Sequence, residues 1–321
     1  MIKKLLLSLI LTSSIITAQS YAPPAGQTGS TAIIKSSSVF IGWATGIAVT
    51  RGPQDIANPN GALASSGNPN DALGGTGTGV VCLGDGGSAT VTFASPIANG
   101  SGFDFAIFEN GFSDTFLELA FVEVSSDGIN FFRFPAHSET QTTTQIGGFG
   151  SVDCRYINNL AGKYKAGFGT PFDLSDLPDN ALLDKDNITH VKIIDAIGTI
   201  NPLYASHDSY GNIVNELYAT PYATGGFDLN AVGVINIKTL GNKDFDKNAV
   251  SLYPNPASDV VYINSEEEES AVIIYDISGK IIKTFPSANH KEITVSDLNS
   301  GIYLFEVTTQ NKKSTTRILV K

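Results

Sequence analysis

Apolar residues in this chain fall into short runs with a period of two, at 39–43, 89–93, 103–108, 117–125, 131–134, 190–195 and 227–237, separated by segments rich in Gly, Asn, Asp and Pro. Runs of this kind read as β-strands. In Leu119-Ala120-Phe121-Val122 both alternating faces are apolar, the pattern of a strand covered on both sides in the interior of a packed sandwich. Helical periodicity is nearly absent, and only 178–186 admits a short helical turn. After a polar stretch at 238–248, the runs at 260–263, 271–275, 280–285, 302–307 and 315–320 predict a second, smaller all-β unit, with Ser278-Gly279 as a hairpin turn. Pro254 and Pro256 cannot sit inside a central strand, so Pro254-Asn255-Pro256 is read as its opening turn. The acidic run 266–269 reads as a solvated loop.

The amino end predicts export. Lys3 and Lys4 precede an apolar stretch at 5–16, and Ile16-Thr17-Ala18 offers a small residue for cleavage, so residues 1–18 read as a signal peptide. No cysteine follows that stretch, and nowhere else is there an apolar run of about eighteen residues, so neither a lipid anchor nor a transmembrane segment is expected. This divides the chain into 1–18, a domain at 19–237, a linker at 238–248 and a tail domain at 249–321.

Composition agrees with a secreted β-protein. The formal charge of −11 repels phosphate backbones and argues against nucleic acid as a partner. Thirty-two glycines with one Met and one Trp point to many tight turns. Cys82 and Cys154, in a compartment where disulfides persist, form either one bridge or two buried thiols.

Four landmarks in the tail occur in order: Leu252-Tyr253-Pro254-Asn255-Pro256-Ala257-Ser258-Asp259, Ile274-Tyr275-Asp276-Ile277-Ser278-Gly279-Lys280, Leu298-Asn299-Ser300-Gly301-Ile302-Tyr303 and Ile318-Leu319-Val320-Lys321. Together they resemble the type A C-terminal sorting domain of the type IX secretion system. The resemblance implies a small Ig-like β-sandwich, passage through the periplasm, handling by the type IX machinery, removal of the domain, and release or anchoring at the outer-membrane surface. Upstream, Val124-Ser125-Ser126-Asp127-Gly128 followed by Asn130-Phe131 forms a tight hairpin and resembles that of galactose-binding-like jelly rolls, many of them sugar-binding. An ordered set including Phe108-Glu109-Asn110-Gly111-Phe112, Ala161-Gly162-Lys163-Tyr164, Gly169-Thr170-Pro171-Phe172 and Gly226-Phe227-Asp228-Leu229-Asn230-Ala231-Val232 is similar to a family of bacterial cell-surface proteins without a settled activity. Some of these accompany outer-membrane uptake systems, including those for cobalamin. The implied fold is all-β, a jelly-roll-like β-sandwich followed by the small sorting sandwich.

The long segments 50–87 and 197–226 are where function is expected, because loops of that length inside a domain usually carry it. Calcium is the sharpest chemical candidate, since it takes six to eight oxygens from carboxylates and carbonyls. Asp228 and Asn230, two apart on a strand, project from one face, and Glu109, Asn110, Asp195 and Asp208 supply further oxygens at strand ends and turns. Where the family usually has Asp-Leu-Asp, Asn230 replaces the second carboxylate. Catalytic motifs are missing: no Gly-x-Ser-x-Gly, no His-Glu-x-x-His and no phosphate-binding loop. Glu118 and Glu123, five apart, face opposite sides of a strand and do not pair, whereas Glu109 with Asp195 or Asp228 keeps a glycoside hydrolase in view. The expectation is a secreted, non-catalytic surface protein that binds a ligand, a glycan first, on the loop tyrosines Tyr204, Tyr210, Tyr218 and Tyr222. Phe112 and Phe116 are further stacking candidates. The alternatives are a component of nutrient uptake such as cobalamin capture, an adhesion or structural protein, and a glycoside hydrolase.

Overall fold

A computed structural model describes residues 21–58, 60–77, 79–238, 250–265, 270–309 and 313–321. The leader at 1–18, the linker at 239–248 and the acidic run 266–269 lie outside the described residues. The chain divides into two compact units, Met1–Thr239 and Leu240–Lys321.

The first unit holds strands β1 (Ile33–Ile34), β2 (Gly42–Thr50), β3 (Val81–Cys82), β4 (Ser88–Ile97), β5 (Phe105–Phe108), β6 (Ala120–Ser125), β7 (Phe132–Arg133), β8 (His137–Ser138), β9 (Ile157–Asn158), β10 (Phe168–Phe172), β11 (Ile188–Asp195), β12 (Asp228–Leu229) and β13 (Ala231–Val234). Nine of them form one antiparallel sheet in the order β1-β10-β5-β13-β2-β4-β11-β6-β7. The sheet curls, so that Phe105, Ile107 and Phe172 from one half share a core with Val91, Val122, Val124 and Val191 from the other. The two-sided pattern at 119–122 is realised: Ala120 and Val122 enter that core while Leu119 and Phe121 enter a second one with Val152, Cys154 and Val214. Burial of large side chains on both faces of the middle strands, at about 25 cal/mol per Å² of apolar surface, accounts for the long-range pairing. The architecture is all-β, as the alternation implied.

Local chemistry explains the departures from the expected elements. The hairpin between β6 and β7 forms, with Asp127 Oδ1 accepting the Ile129 and Asn130 amides at 2.8 Å each and Gly128 at φ +75°. The segment 178–186 is not helical: Asn180 and Asp184 accept the Leu182 and Asp186 amides in local turns that compete with a helix. The only helical pieces among the described residues are single 3-10 turns at Pro69–Ala72, Cys154–Tyr156 and Leu174–Asp176. Cys82 and Cys154 are two buried free thiols.

The second unit packs a three-stranded sheet, β14 (Ser251–Tyr253), β15 (Val260–Asn264) and β18 (Glu292–Thr294), with a four-stranded one, β16 (Ser270–Asp276), β17 (Ile281–Ala288), β19 (Gly301–Thr308) and β20 (Lys313–Val320). Its core includes Val261, Ile274, Phe305 and Ile318. The Pro254-Asn255-Pro256 turn joins β14 to β15, held by Asn255, which donates to the Arg317 carbonyl and accepts the Leu319 amide. Asp276 closes the Ser278-Gly279 turn by accepting the amides of Ser278 and Lys280.

Candidate functional site

Three carboxylates from distant parts of the first unit meet at one end of its sheet. Glu109 follows β5, and the antiparallel register that sets Ala231 opposite Phe108 brings the start of β12 to the same end. Asp228 opens β12, opposite Cys82 of β3. Glu118 arrives two residues before β6, its backbone carbonyl against Gly162, whose φ of +79° and missing side chain allow the approach. One oxygen from each of Glu109, Glu118 and Asp228 lies within 4.8 Å of the other two, and all three residues are buried. Glu109 Oε2 accepts the Gly111 amide at 2.5 Å, but Glu109 Oε1 and Asp228 Oδ1 have no hydrogen-bond partner among the described residues.

Keeping all three carboxylates ionised is costly unless a cation or bound protons neutralise them. Like charges about 4–5 Å apart repel by roughly 3–4 kcal/mol per pair at an effective dielectric near 20. Burial, with Asp228 beside it, holds the Glu109 carboxyl well above its ordinary range. Burial, then Glu109 and Asp228, does the same to Glu118. Burial pushes Asp228 up to about 6, against the opposing pull of Arg51. Arg51 does not pair with the cluster: its guanidinium donates to the carbonyls of Ser66, Cys82 and Gly67. Three oxygens within 4.8 Å of one another are close enough to reach a single ion. Oxygens bound to a single calcium at 2.3–2.6 Å stand at most about 5 Å apart, whereas the 2.0–2.1 Å bonds of magnesium allow only about 4 Å.

Glu118 and Asp228 of the cluster reach a cavity of about 420 Å³ whose lining also includes Asn110, Ser66, Thr220 and Thr224, with Glu109 buried behind it. Its wall is aromatic: Phe112 stacks on Phe116 at 5.0 Å, Phe116 and Phe149 stand 6.4 Å apart, and Phe149 and Tyr222 another 6.4 Å. Phe112, Phe149 and Tyr222 are 76%, 78% and 51% exposed, an apolar patch kept in water although phenylalanines elsewhere, such as Phe105 and Phe172, are buried whole. The long segments 50–87 and 197–226 supply Ser66, Cys82, Thr220, Tyr222 and Thr224 to this cavity.

Of the residues singled out in the sequence, Glu109, Asn110, Asp228 and Tyr222 converge here. Asp195 stands behind the cluster and accepts the Gly86 and Phe227 amides, so it positions the segment that carries Asp228; burial raises it to about 7. Asp208 lies elsewhere, capping its own turn through the Tyr210 and Asn212 amides and pinning it to the Ser138 amide. Asn230 does not share a face with Asp228, because the chain breaks between β12 and β13; its amide donates to the Gly77 and Gly79 carbonyls, a task no carboxylate performs. Tyr218 is half-buried with its hydroxyl on Asp55, Tyr204 sits in the turn after Asn201, and the Tyr210 ring packs tilted against His137. Glu118 and Phe149 are the contributors that periodicity passed over. Their signals are a lone acid at the mouth of a two-sided apolar strand and a lone aromatic in Gly147-Gly148-Phe149-Gly150.

Among the described residues no helix is long and apolar enough to cross a membrane. No curated protein sequence matches this chain. Among solved structures, the chain is similar to a biofilm associated protein, BSP domain, at 9% identity and a TM-score of 0.17, over 89% of this chain and 53% of that one. The chain thus spans about half the length of that structure. Residues 251–321 match the family model described as a secretion system C-terminal sorting domain, over the same strands that carry the four tail landmarks. The C-terminal unit is therefore a type IX secretion sorting domain, and the protein is one delivered to the outer-membrane surface or beyond it.

Proposed function

We propose that this is a non-catalytic ligand-binding protein of the cell surface or its surroundings. In this reading the first unit holds calcium with Glu109, Glu118 and Asp228 and receives a glycan against Phe112, Phe149 and Tyr222. The observation that carries it is the convergence of three buried carboxylates with one oxygen each within 4.8 Å, two of the residues also holding an unpartnered oxygen, and two of the three, Glu118 and Asp228, lining an aromatic-walled cavity. Calcium takes more oxygens than three carboxylates provide. Asn110, Ser66 and Thr220 in the same lining, together with vicinal hydroxyls of a sugar, complete the set, while the C–H face of a pyranose ring rests on the exposed aromatics.

Cleavage of a glycosidic bond is the less favoured use of these carboxylates. Glycosidases use two carboxyl groups flanking the scissile bond, whereas here three carboxylates bring one oxygen each within 4.8 Å, an arrangement that chelation uses in full. A glycan array probed with the full chain in calcium and in EDTA tests the proposal. The expected result is a set of glycans bound only in calcium and lost in Phe149→Ala. An array with no calcium-dependent member would contradict it.

A further inference from the structure

A second groove, of about 500 Å³, opens in the first unit and is lined by His137, Ser138, Glu139, Thr140, Gly211 and Asn212, none of which lines the carboxylate cavity. Its floor is polar in an unusual way. Three consecutive residues present buried oxygens without a hydrogen-bond partner among the described residues: Ser138 Oγ, Glu139 Oε2 and Thr140 Oγ1. Ser138 itself is 2% exposed. Buried polar atoms are ordinarily paired, so three in a row at one opening ask for a partner from outside.

The groove is also built to hold its shape. Asp208 grips the far wall by accepting the Tyr210 and Asn212 amides and the Asn212 side chain, and ties it to the near wall through the Ser138 amide at 2.8 Å. Tyr21 and His137 share a hydrogen bond through the hydroxyl and Nδ1. Beside the lining residue His137, the Tyr210 ring lies 4.5 Å from the imidazole and is 70% exposed.

The chemistry of these groups selects among ligands. Glu139 repels anions. Asp208, the other carboxylate at hand, already has both oxygens engaged, so the groove lacks the several free carboxylates a calcium ion needs. What remains is three hydroxyls, of Ser138, Thr140 and Thr142, each able to donate and accept, one carboxylate acceptor, the His137 ring, and beside it a flat ring held open to solvent. A neutral sugar matches that set: its hydroxyls both donate and accept, and its C–H face stacks on an aromatic ring.

We infer that this groove is a second, metal-independent subsite for a neutral sugar, with Tyr210 as stacking platform and Ser138, Glu139 and Thr140 as hydroxyl partners. The inference shares with the proposed function only the class of ligand. The full chain is titrated with a panel of neutral gluco-, manno- and xylo-oligosaccharides in EDTA, where the carboxylate cavity is silent. Saturation-transfer NMR is read alongside, and the melting temperature of each variant is checked. The expected result is binding of at least one oligosaccharide in EDTA, weakened at least about tenfold by Tyr210→Ala and by Glu139→Gln and unchanged in Leu203→Ala, an exposed residue that lines neither cavity. No binding of any panel member in EDTA, or binding indifferent to Tyr210→Ala, overturns the subsite and leaves the calcium-dependent array result standing by itself.

Discussion

Glu118 shows how one residue carries opposed demands. Its carboxyl lies among Glu109 and Asp228 with no cation among the groups that line the cavity. In the absence of calcium, neutralising it therefore relieves the fold. Glu118→Gln is expected to raise the melting temperature of the calcium-free protein at pH 8 by a few degrees and to weaken calcium at least about tenfold, read by calorimetry on the same samples. A purely structural Glu118 would lower the melting temperature. Part of the site was legible at this scale. Glu109 and Asp228 stand at strand ends beside Asn-Gly and Gly-Phe, where side chains leave the sheet. Glu118 was hidden, because spacing along a strand measures its pairing with Glu123 and says nothing of residues brought in from other strands. Glu123 in fact pairs with Arg133 across the hairpin, its Oε1 2.7 Å from the guanidinium. Asn230 was misplaced for a related reason: two-residue spacing gives a common face only while the strand continues, and here it breaks between β12 and β13.

Among elements, alternation and turn chemistry located β4, β6, β11 and the Asp127-Gly128 hairpin, since both signals are local, but set the run at 39–43 where β2 spans Gly42–Thr50, because its small residues at 44–48 carry little alternation. They missed β10, which is absent from the expected runs and carries Pro171, a residue confined to edges within sheets. The pairing resolves this: Pro171 sits opposite Ala106 of β5, while β1 covers β10 only at Phe168 and Gly169, so the proline lies where its outer side has no ladder to supply. The Gly162 turn that admits Glu118 is the element most sensitive to a small change. A Cβ there would stand 1.8 Å from the Glu118 carbonyl oxygen, at a φ that L-residues resist. Gly162→Ala is expected to cost roughly 2–4 kcal/mol in urea unfolding and to weaken calcium together with stability. Gly102→Ala, also at positive φ but with open space around it, is expected to cost only about 1 kcal/mol and to leave calcium untouched.

Over the whole molecule, the buried acids make stability depend on pH with a definite sign. Burial raises Asp85 to about 6, Asp195 to about 7 and Asp228 to about 6, above the 3.8 of the unfolded chain. Between those values the folded state binds more protons than the unfolded one, so stability falls as pH rises from about 4 to about 7. A few kcal/mol are at stake, and the calcium-free protein is expected to melt roughly 5–15 °C lower at pH 8 than at pH 5, with calcium restoring part of the loss only at the higher pH. Export is a property of the other unit. A chain lacking 251–321 is expected to stay in the periplasm, read by cell fractionation, because the sorting domain is what the type IX machinery handles. The all-β architecture and the destination of the chain were legible in the sequence. The binding site was less so, since it is assembled by long-range register that no local pattern encodes. The central claim is that Glu109, Glu118 and Asp228 hold one calcium ion, and calorimetric titration of the full chain with calcium chloride at pH 7.5 tests it most directly. The account predicts one ion bound per chain, with a dissociation constant of about 10⁻³ M or tighter, and no measurable heat in Glu109→Gln. A wild-type chain that gives no calcium-dependent heat, or a Glu109→Gln chain that binds as well as wild type, would contradict it.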